Sequence, residues 1–172
     1  MAGTTRSNPR DVFEVPLGDK KVYFQYLGKD AGALHSHTIR VFKTKYPIDS
    51  EQDLEDVVMG KVDFHAHVII PRGVKEGFWK KAGPAKRIND QVPVVFRRSD
   101  DYGSKFSGIS RRWRVWRFGE QSEYVGDLLT GEQKKAEVAP VVPPIDIVER
   151  ATTGKYKFMY PAGTDNDPYI TR

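Results

Sequence analysis

The run KVDFHAHVII, residues 61–70, is the length of one strand and stops at Pro71, and the rest of the chain is cut in the same way. With 15 Gly and 11 Pro among 172 residues, few segments are long enough for an extended helix. Proline removes a backbone donor and glycine supplies the turn conformations, so the apolar pieces between them read as strands. VFEVPLGDKKVYFQYLG (12–28) reads as a hairpin, with LGDK as its turn and Val22 to Leu27 in its second strand. SHTIRVFKTKY (36–46), VPVVFRR (92–98) and ISRRWRVWRFG (109–119) are further strand candidates. The alternation at 36–46 is imperfect, since His37, Ile39, Val41 and Lys43 share one side.

IDSEQDLEDVVMG (48–60) is the clearest helix. Ser50 is placed to cap it, acids crowd its first turn, Leu54, Val57 and Val58 form one stripe, and Gly60 ends it. A basic loop follows over 71–91, with one helical turn around 75–81, and a weak helix or turn lies at 127–138. APVVPPIDIVERATTGKYKFMY (139–160) reads as an extended proline segment and then a hairpin around Thr153-Gly154. These pieces predict a flexible arm over 1–11, a single domain over 12–160 and a tail over 161–172. The expected class is α+β, mostly antiparallel sheet with one or two short helices.

The absence of cysteine excludes disulfides, thiolate metal sites and a cysteine nucleophile, and leans towards a reducing compartment such as cytosol or nucleus. The apolar runs fall far short of the roughly 20 residues that span a bilayer as a helix. MAGTTRSNPR carries no apolar signal core, so no secretory leader is expected. No phosphate-binding glycine loop or nucleophile elbow occurs. The acids of DSEQDLEDV are explained by a helix N-terminus without catalysis.

Charge is the most directional feature. From Arg72 to Arg117 there are 13 Lys or Arg against 4 Asp or Glu, a net of +9 in a chain whose total is +5. The candidate polyanion-binding cations are Arg72, Lys75, Lys80, Lys81, Lys86, Arg87, Arg97, Arg98, Lys105, Arg111, Arg112, Arg114 and Arg117. Trp79, Trp113 and Trp116 are interleaved with them. Guanidinium groups grip phosphates bidentately, and aromatic rings stack on exposed bases or sit at a bilayer interface. The alternative is that the tryptophans are core and the cations a solvated surface. The residues alone do not separate nucleic acid from an anionic bilayer as the partner. An accessory protein that binds RNA or single-stranded DNA, such as a silencing suppressor, movement protein or ribonucleoprotein subunit, is the alternative to a membrane-binding one.

All four histidines fall in two His-x-His pairs, His35/His37 and His65/His67. On a strand, residues i and i+2 share a face, so each pair presents two imidazoles together, a pattern suited to zinc or manganese. The His-Ala-His strand resembles that of HUH nucleases, but the tyrosines at Tyr124 and Tyr156 lack the accompanying lysine spacing. The simpler reading gives His65 and His67 to the semi-buried face of a strand, with Phe64, Ala66 and Val68 in the core and Asp63 beside His65. On that reading there is no metal, cofactor or small-molecule substrate.

Residues DFHAHVIIPRG followed by VPVVFRR resemble the rhabdovirus matrix proteins. Phe64 to His67 match their aromatic-His-Ala-His strand, Arg72 to Arg87 their basic loop, and Val92 to Arg98 their Val-Pro-x-x-Phe-Arg-Arg segment. HTIRVFKTKYPIDSEQDLEDVV is similar to the preceding strand, turn and helix, so the similarity spans roughly 37–98. The Pro-Pro-x-Tyr motif is missing, because VPPID has no tyrosine. The resemblance implies a non-enzymatic structural protein of the virion. It would self-associate, bind the nucleocapsid and touch the inner membrane face in assembly and budding, in host cytoplasm or nucleus.

Overall fold

A computed structural model describes residues 6–101, 110–158 and 160–161. The described residues form eleven strands and three α-helices, an α+β fold. The first sheet is built from β1 (Asp11–Leu17), β2 (Lys20–Asp30), β3 (Ser36–Phe42) and β5 (Val62–Val68), paired antiparallel in the order β1-β2-β3-β5. The short β4 (Tyr46–Pro47) pairs with the start of β2, and β6 (Lys80–Pro84) forms the edge beside β1. The second sheet holds β7 (Val95–Ser99), β8 (Trp113–Arg117) and β9 (Glu123–Gly126). One segment joins the sheets: β10 (Glu137–Val138) pairs parallel with β7, and β11 (Val141–Val142) pairs parallel with β5.

The central strands are covered on both sides, which explains their weak alternation in sequence. Lys21 to Gly28 of β2 are buried without a break. One face of the first sheet carries Phe13, Val15, Phe24, Ile39, Val41 and Phe64. It packs against Trp79, α2 (Ile70–Lys75) and α3 (Pro144–Thr153). The other face meets α1 (Leu54–Val58) at one end, where Val57 and Val58 lie on Val12, Tyr23, Phe42 and Ala85. The second sheet covers its other end.

Three segments differ from the sequence expectation, each for a local reason. The first helix is only α1, because Asp53 caps it by accepting from the Glu55 amide, while the Ser50 hydroxyl donates to the Pro47 carbonyl instead. The basic loop over 71–91 contains the rest of α2, begun by Pro71 in its first turn, and the edge strand β6, in place of a helical turn at 75–81. The stretch 144–153 is a helix and Gly154 ends it with φ 86°, so no hairpin forms there. Pro144 starts that helix with its fixed φ, and Ile147 and Ala151, one turn apart, face the core.

Candidate nucleic-acid and membrane interface

The two predicted histidines lie inside the molecule, in a polar layer between the sheets. Gln25, Arg40 and His65 stand side by side across β2, β3 and β5, and Thr38 stands beside His67. Arg40 donates from Nε to His65 Nε2 at 3.0 Å, and from its two Nη atoms to the carbonyls of Asn89 and Val92. Gln25 donates to the Arg87 carbonyl at 2.9 Å. These bonds tie the chain after β6 onto the sheet. Because His65 Nε2 accepts, its proton sits on Nδ1. Burial and the charges of Arg40 and Arg150 push its pKa down to about 3, so the ring is neutral.

His67 is fully buried, 2.9 Å from Asp30 Oδ2 through Nε2 and 3.0 Å from the Ala139 carbonyl through Nδ1. Asp30 is the hub of the sheet junction. It also accepts from Trp116 Nε1 at 2.9 Å and from the amides of Gly119 and Gly32. Burial alone would raise its pKa, but the hydrogen bonds from His67, Trp116, Gly119 and Gly32 outweigh that and hold it below the ordinary value. With both His67 nitrogens engaged and His65 bonded to Arg40, the two imidazoles do not converge on a common ion. Among the described residues no three His, Asp or Glu side chains cluster as metal ligands. Asp63 is exposed, and the partner of His65 is Arg40 rather than Asp63.

The three tryptophans are core residues, which corrects the expectation that they stack on a ligand. Trp79 is edge-on to Phe24 at 5.2 Å and donates to the Ile70 carbonyl. Trp113 lies under the Arg97 guanidinium and donates to the Ser110 carbonyl. Trp116 is pinned to Asp30. Arg97 is also removed from the candidate cations, because it is fully buried. Arg97 lies on the side of the sheet that carries Trp113 and its guanidinium covers that ring, while Arg98 lies on the other side, past the buried Phe96 and Trp116 and at the edge of their packing.

The remaining cations divide by partner. Lys80 and Lys81 pair with Glu14 and Asp11 of β1, and Arg72 pairs with Glu76. Lys75, Lys86, Arg87, Arg111, Arg112 and Arg117 are exposed and form no ion pair among the described residues. Lys105 lies outside the described residues. Arg98 and Arg114 are directly opposite each other on β7 and β8, and Tyr124 is opposite Arg114 on β9. The two guanidiniums share one carboxylate, Asp100, at 3.6 and 2.9 Å. Arg114 lies 5.9 Å from the centre of the Tyr124 ring, which is half exposed.

Beside this row is a cavity of about 280 Å³ walled by Ala33, Leu34, Arg98, Trp116, Pro140 and Val141, among others. A second cavity, of about 310 Å³, opens over Arg40 between Asp90, Arg117 and Glu120, and its two signs of charge balance. Sequence reading missed Asp30, Arg40 and Leu34. Asp30 precedes Ala-Gly, a turn-capping signal for the short 3-10 turn at Ala31–Ala33, but its contacts to His67 and Trp116 span 37 and 86 residues. No family model matches the chain, and no curated protein or solved structure matches it significantly.

Proposed function

We propose that this chain is a non-enzymatic, matrix-like structural protein that binds polyanions, holding a nucleocapsid to the anionic inner face of a membrane during virion assembly and budding. The observation that carries the reading is the Arg98–Arg114 pair. Like charges directly opposite on adjacent strands repel, and here one carboxylate serves two guanidiniums. A phosphate placed over the pair relieves that repulsion with charge-assisted hydrogen bonds. Exposed Arg111 and Arg112, just before β8, add to the field, and Arg117 does so at the strand's far end. Trp113, Trp116 and Arg97 contribute by holding this sheet rigid, and Trp79 by packing on the first sheet, not by touching a ligand.

Flotation of the purified protein with anionic and neutral vesicles over a salt series, with and without single-stranded RNA, tests the reading. The expected result is salt-sensitive flotation with anionic vesicles only. Protein that stays down with RNA and never floats would overturn the membrane half, and would favour an RNA-binding accessory protein.

A further inference from the structure

Leu34 is 93% exposed, the most exposed large apolar side chain among the described residues. It follows the 3-10 turn at Ala31–Ala33, and both Leu34 and His35 are left-handed, with φ 54° and 57°. Histidine is one of the residues enriched in this conformation, but leucine does not adopt it freely. The loop is nevertheless fixed at its base. The Gly32 amide donates to Asp30, the His35 amide to the Asp30 carbonyl, and the Ser36 hydroxyl to the Ala33 carbonyl. Gly32 sits so close to Trp116 that a Cβ there would lie 2.3 Å from the indole nitrogen. A loop held this tightly cannot fold Leu34 back into its own core.

Two more exposed apolar side chains lie at the same end of the first sheet. Ile69 follows β5 and is 50% exposed, and Val141 of the edge strand β11 is 45% exposed. Cations flank them: Lys29 next to Asp30, Arg72 in the first turn after Ile69, and Arg98 in the wall of the apolar cavity that Leu34 and Val141 share. Of these, Arg72 and Arg98 have carboxylate partners, while Lys29 has none among the described residues.

We infer that this end of the first sheet is the membrane-facing tip. Leu34, with Ile69 and Val141, enters the headgroup–acyl boundary of an anionic bilayer, and the flanking cations engage lipid phosphates. The inference rests on the proposed function and adds which surface meets the lipid. Apolar side chains ringed by cations are complementary to an anionic interface, where insertion and charge attraction act together. A second copy of the chain offers no such charge match, since it brings the same cations.

The chain has no cysteine, so single replacements label cleanly. Leu34→Cys carries an environment-sensitive fluorophore at the tip. Asp19→Cys carries it in the exposed turn before β2, at the other end of that 11-residue strand, about 35 Å away by strand rise. The probe is a vesicle of phosphatidylserine and phosphatidylcholine with a quencher on some acyl chains. Blue shift and quenching at position 34 but not 19 is expected. The variant Leu34→Asn keeps a residue at ease in the left-handed region, and it should weaken vesicle partition by about tenfold or more through lost apolar burial. Wild-type flotation with a silent label at 34, or undiminished flotation of Leu34→Asn, overturns the tip while leaving the membrane reading intact. A label that responds to protein concentration without vesicles overturns it in favour of self-association. Failure of the wild type to float defeats the membrane reading itself.

Discussion

Acidification should destabilise this protein well before its carboxylates titrate, because of His65. In the folded chain its pKa is about 3, lowered from 6.5 by burial and by Arg40 and Arg150. The unfolded state therefore binds a proton between those values that the folded state refuses. Stability from this group is complete above about pH 6.5 and falls as pH drops towards 3. Integrating the linkage at 1.36 kcal/mol per unit gives a loss of about 2 kcal/mol between pH 7 and pH 5. That figure hardly changes if the folded value is a unit higher, since pH 5 is still above it. His37, lowered by burial and by Lys29, adds in the same direction. Asp30 and Glu14, both lowered, lose their contributions only below about pH 5. Urea unfolding at pH 7, 6 and 5 is the assay. With a slope of roughly 2 kcal/mol per M, the midpoint should fall by about 1 M. His65→Gln keeps an acceptor for Arg40 without a titrating ring, so its stability should vary much less over the same range. Full acid sensitivity in His65→Gln, or none in the wild type, would refute the reasoning.

Other outcomes follow from the same contacts. Asp30→Asn deletes acceptors for His67 and Trp116 and should cost about 3–5 kcal/mol by urea unfolding, where a loss below about 1 kcal/mol would remove Asp30 as the junction hub. Gly73→Ala puts a methyl group 2.0 Å from the Trp79 ring and should cost at least about 1–3 kcal/mol, with a changed tryptophan emission. Trp79→Ala should cost about 3–5 kcal/mol of stability, and a folded variant with unchanged stability but lost vesicle binding would return Trp79 to the interface.

The sequence showed the strands and the α+β class because short apolar runs between Gly and Pro carry that information locally. It misread 144–153, because a proline pair fits an extended segment as well as a helix start, and the choice is made by Ile147 and Ala151 packing on a sheet formed far upstream. The cationic block was legible as charge but not as geometry. Arg97 and Arg98 lie on opposite sides of β7, and Arg97 is buried because Trp113 packs beneath it, while the pairing register with β8 puts Arg114 beside Arg98. His65 and His67 were correctly placed on one face of one strand. Their partners come from β2, β3 and the link after β10, so neither bond was visible in the spacing. Leu34 gave no signal at all, because an isolated leucine beside Ala and His reads as ordinary until its loop is seen to hold it outward.

The central claim is that Arg98 and Arg114 form part of a polyanion-binding face. Its most direct test is the salt dependence of binding to anionic vesicles, and to single-stranded RNA, for the wild type and Arg98→Gln/Arg114→Gln. Both side chains are partly exposed, so stability should be nearly unchanged. Affinity should fall, and the slope of log affinity against log salt for RNA should drop by roughly 1–2. An unchanged slope and affinity in the folded double variant would contradict the account.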